Sequence, residues 1–68
     1  MDMPTRLAIA AVVRALHRRR IIDEDEIVEI MHELEEAAEI PRRRDAPSEA
    51  DELMELAKDI GRDANIGA

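Results

Sequence analysis

The chain has 68 residues, of which 17 are Asp or Glu and 10 Lys or Arg, for a formal charge of -7; 46% is hydrophobic, yet Phe, Tyr, Trp and Cys are all absent. That length holds a single domain, 1–68, and the missing cysteine excludes disulfides, thiolate chemistry and cysteine-rich zinc sites. A compact monomer of this size exposes roughly 4,300 Å² and encloses only a thin core, so self-association is its simplest route to added stability.

The first helix is expected over 4–20. Pro4 is tolerated in an opening turn, and Asp2, Met3 and Thr5 are alternative starts. Ile9, Val12, Val13 and Leu16 share one face at helical spacing, widened by Ala8, Ala11 and Ala15. Leu7 falls off that face, so the helix needs cover on more than one side. Residues 7–16 are too short an apolar run for a bilayer and lack a clean cleavage region, so no membrane segment or signal peptide is expected. Arg18–Arg20 suit a helix C-terminus, and Ile21 and Ile22 are expected to cover the helix end.

The second helix is expected over 24–40. Asp23 with Glu26 three residues later is a capping-box pattern, and the surrounding acids suit the positive end of the helix dipole. Ile27, Ile30, Met31, Leu34 and Ala38 form a stripe, with Ala37 broadening it and Val28 on its flank; Pro41 is expected to stop the helix near Glu39 or Ile40. Residues 41–47 read as a polar connection. Ser48 is then the expected cap of a third helix over 49–63, lined by Leu53, Leu56, Ala57, Ile60 and Ala64, with Asn65 and Gly67 as final cap and tail. The fold class is therefore all-α: three short helices, the first two an antiparallel hairpin, completed by oligomerisation into a helical bundle.

Chemistry finds little support. Glu29-x-x-His32 has the spacing of a di-iron helix, but both residues point away from the apolar stripe, and the first helix offers no carboxylate. His17 suits a helix end, and no nucleophile is paired with it. No phosphate loop or calcium loop occurs. The expectation is a non-enzyme with no catalytic, metal or cofactor site, in the cytoplasm. Nucleic-acid binding is not expected either: the Arg18–Arg20 and Arg42–Arg44 runs flank opposite ends of a segment, 23–39, that has nine acids and no Lys or Arg.

What remains is contact. The leading expectation is a small acidic assembly or adaptor module, a homodimer or small homo-oligomer that also admits another protein partner. Its expected interface is Leu7, Ile9, Val12, Val13, Leu16, Ile27, Val28, Ile30, Met31 and Leu34. The alternative is an acidic inhibitor or regulator of a basic nucleic-acid-binding protein, with Glu29, Glu33 and Glu36 imitating a phosphate backbone.

Overall fold

The computed structural model describes residues 1–66, so Gly67 lies outside the described residues. Those residues form α1 (Met3–Arg18), α2 (Glu24–Ala37), the short α3 (Glu39–Arg43) and α4 (Pro47–Asp63), with no strand among them.

Each long helix starts for a local reason. Asp2 caps α1, its Oδ1 accepting from the Thr5 N–H at 2.8 Å. Hydrogen bonds from the Thr5 side chain and backbone hold the Asp2 carboxyl below its ordinary value of 3.8. The cap therefore acts fully above the unfolded pKa and is lost as the pH falls through the lowered folded one. At α2 the capping box forms in full: Asp23 Oδ1 accepts from the Glu26 N–H at 2.8 Å, and Glu26 Oε1 accepts from the Asp23 N–H at 3.0 Å. The start of α4 differs from expectation. Ala46 is the cap residue and Pro47 opens the helix, so Ser48 falls inside the first turn, past the position from which a side chain caps, and makes no capping bond.

Pro41 acts at a distance of four residues. Its ring would collide with the carbonyl of Ala37, and α2 ends at Ala37. The expected continuation to residue 40 is thus broken at Ala38. Residues 39–43, expected in part as a polar connection, form the extra turn α3, in which Pro41 is buried.

Among the described residues three helices close with the same Schellman geometry, none of them on glycine. Arg20 (φ 61°), Asp45 (φ 55°) and Asn65 (φ 59°) take the left-handed conformation. The following residues bond back across the turn: Ile21 N–H to the Leu16 carbonyl at 3.0 Å, Ala46 to Pro41 at 2.7 Å and Ile66 to Gly61 at 2.8 Å. A side chain in that conformation is disfavoured relative to glycine. Replacing the exposed Arg20 by glycine is therefore expected to stabilise the fold by about 0.5–1 kcal/mol, read as a raised thermal midpoint.

The core is centred on α4. Ile27, Leu56 and Ile60 are the large side chains that are fully buried, joined by Ala10 and Ala64. Val13, Ile22, Ile30, Met31, Leu34 and Ile66 pack around them. α4 meets α1, α2 and α3, whereas α1 touches α2 only sparingly. An α1–α2 hairpin is therefore not what organises the chain; α4 lies against both helices and supplies half of the buried residues among those described. Gly61 lies against the end of the Met31 side chain: a Cβ there would sit 2.7 Å from Met31 Cε, so the flexible thioether would have to shift to admit one.

Two arginines fix α1 to α4. Arg6, with 16% of its side chain exposed, places Nη1 3.3 Å from Glu52 Oε2 and Nε 3.3 Å from Asp59 Oδ2. The Nε contact lacks hydrogen-bond alignment, so it is electrostatic only. Arg14 reaches Asp63 Oδ2 at 3.4 Å from a more exposed position.

Candidate interaction surface

The α1 face turned to α4 carries Arg6, Ala10 and Val13, which leaves another apolar face outside. Leu7 is 55% exposed, Ile9 40% and Val12 59%. Ile9, Val12 and Leu16 recur at three- and four-residue steps, with Ala8 and Ala15 beside them, and α1 contains no Asp or Glu. This is an apolar helical stripe whose nearby charges are basic, running into Arg18–Arg20 at the C-terminal end.

α2 presents the opposite character. A groove of about 420 Å³ is lined by Ile22, Ile30 and Leu34, with Glu26, Glu29 and Glu33. The three apolar residues are half-buried and the three carboxylates exposed, so the groove has an apolar floor and an acidic rim. Glu36 continues the Glu29–Glu33 strip by helical spacing. No Lys or Arg occurs in α2.

The expected interface residues divide accordingly. Leu7, Ile9 and Val12 are exposed on α1; Leu16 and Val28 are half-buried. Val13, Ile30, Met31 and Leu34 are also half-buried, each packed in part against the chain's own core. Ile27 is corrected: it is 1% exposed in the cluster with Leu56 and Ile60, so it is a core residue and has no surface to offer a partner. Ile22 and Glu26 belong to the groove although sequence reasoning assigned them to the turn and the cap. Their signal was the four-residue ladder Ile22, Glu26, Ile30, Leu34, which runs along one side of a helix.

The remaining candidates stand apart. Glu29 and His32 are both on the exposed side of α2, and His17 is half-buried in the last turn of α1. Among the described residues no three His, Asp or Glu side chains are gathered closely enough to hold a metal ion, and no helix is long and apolar enough to cross a membrane.

The molecule is also larger than its mass requires. Its accessible surface is 4964 Å², against roughly 4,300 Å² expected for a compact monomer of this size. Its radius of gyration is 12.1 Å, against about 11 Å. The fold and surface define a small all-α bundle with an unpartnered apolar helix face and an acid-rimmed groove. Compared with protein-family models, curated proteins and solved structures, the chain matches none.

Proposed function

We propose that this chain is a self-associating protein–protein interaction module that acts through contact rather than chemistry. The observation that carries this reading is the exposed stripe of α1, on which Ile9 and Val12 stay open to solvent while the chain's own core holds few large side chains; Leu7 is exposed on a separate side of the same helix. Burying that stripe against a second chain removes apolar area from water without disturbing the Arg6 and Arg14 contacts on the opposite side. Two chains paired in this way form the larger helical bundle that a thin aliphatic core calls for.

Sedimentation at low micromolar concentration is expected to give a dimer or small oligomer. Val12→Lys is expected to shift it to monomer with its helical content intact, because Val12 is not part of the internal core. A folded wild-type chain that stays monomeric throughout would remove the proposal.

The acidic strip supports a second reading, binding to a basic protein. Glu29 and Glu33 border an apolar groove rather than lying on a plain solvated face, which suits a partner with both cationic and apolar side chains.

A further inference from the structure

The geometry points to a specific occupant for the α2 groove: the outer face of α1 from a second copy of this chain. This inference rests on the self-association reading and deepens it by naming which surface meets which.

Three observations converge. First, character is complementary. The groove is apolar at Ile22, Ile30 and Leu34 and carboxylate-lined at Glu26, Glu29 and Glu33. The free face of α1 is apolar at Ile9, Val12 and Leu16, without any acid on the helix, and ends in Arg18 and Arg19. A like pairing is less favourable: α2 against α2 would bring two carboxylate rims together, whereas α1 against α2 joins opposite charges around an apolar seam.

Second, the stripe fits within the groove. Residues 22 to 34 cover about 18 Å along the chain if counted at the helical rise, and Ile9 to Leu16 on α1 about 10 Å, with Arg18 and Arg19 following. Antiparallel seating sets Arg18 and Arg19 beside Glu26 and Glu29 at the N-terminal end of α2.

Third, the contact closes. Each copy carries one α1 stripe and one α2 groove, so a two-fold axis lets both copies dock α1 into the other's α2 at once.

The native chain has no cysteine, which makes a cross-linking test clean. Val12→Cys and Glu33→Cys chains are made separately, mixed, and oxidised in a glutathione buffer. The expected product is the mixed disulfide dimer, in excess over either homodimer. In sedimentation, E29R/E33R is expected to weaken self-association at least tenfold while remaining helical by circular dichroism. R18E/R19E is expected to do the same, and mixing the two variants to restore dimer. Glu26 is left unchanged because it caps α2.

A dominant Val12→Cys homodimer would instead show α1 packing on α1 and overturn the assignment. So would unchanged association of E29R/E33R while Val12→Lys still dissociates the assembly; in that case self-association stands and the groove has another occupant. A groove variant that keeps self-associating but loses a synthetic Lys/Leu amphipathic helix would assign the groove to a basic partner and overturn the second-copy proposal. A wild-type monomer would remove both proposals together.

Discussion

Truncating Leu56 to alanine is expected to cost about 2–4 kcal/mol, read as a fall in thermal midpoint and in the urea midpoint. Leu56 is 1% exposed and belongs to the cluster with Ile27 and Ile60, the largest side chains that the fold closes over. A chain of this length has about 3–10 kcal/mol of stability in total, so one leucine accounts for a large share. No aromatic ring is present to slide into the vacancy, and the neighbouring buried residues Ala57 and Ala64 are too small to fill it. A matched Leu7→Ala variant, made on a side chain that is 55% exposed, is expected to change monomer stability by a few tenths of a kcal/mol. Comparable losses at both positions would contradict the assignment of α4 as the centre of the core.

The second large effect is expected at Arg6. Replacing it with alanine is expected to destabilise the fold by about 2 kcal/mol, between the small value of an exposed ion pair and the larger loss from a fully buried one. Two carboxylates, Glu52 and Asp59, lose their cross-helix partner at once. Asp59 keeps Arg62 at 3.0 Å, which limits the penalty, but that bond stays within α4 and does nothing to hold α1. The aliphatic stem of Arg6 also leaves the α1–α4 junction. Arg6→Lys is expected to recover only part of the loss, since one ammonium replaces a guanidinium that reaches both acids. Chemical denaturation of the three variants measures this series, and equal stability of Arg6→Ala and the parent would show the contacts to be ornamental.

The three long helices were legible in the sequence, whereas α3 was not. Asp23 and Glu26 announce the start of α2, and the Ile27–Met31–Leu34 stripe marks its inner face, because caps and periodicity are local. The end of α2 was read close to its true place for a related reason: a proline acts on the carbonyl four residues before it. The pairing of helices was less accessible. Ile9, Val12, Val13 and Leu16 were read as one face, yet Val13 turns to the core with Arg6 and Ala10 while Ile9 and Val12 stay exposed. A small alanine lets α4 approach, and Arg6 finds acids 46 and more residues away in the chain. Size and periodicity do not encode such distant charge partners. Part of the candidate surface was legible, since Leu7 was set off the inner face and Glu29 and Glu33 were grouped. The groove was not, because it depends on how α4 draws Ile30 and Leu34 partly out of solvent.

The central place of α4 has a consequence for synthesis. α1 and α2 emerge first, but their main packing partner is the last helix of the fold. During translation Ala10, Val13, Ile27, Ile30 and Leu34 stay without the cover of the core until Leu56 and Ile60 have left the ribosome. Arg6 likewise waits for Asp59. Folding is therefore governed by closure of long loops rather than by stepwise addition of helices, and the nascent chain passes through an interval in which its most apolar surface is its oldest.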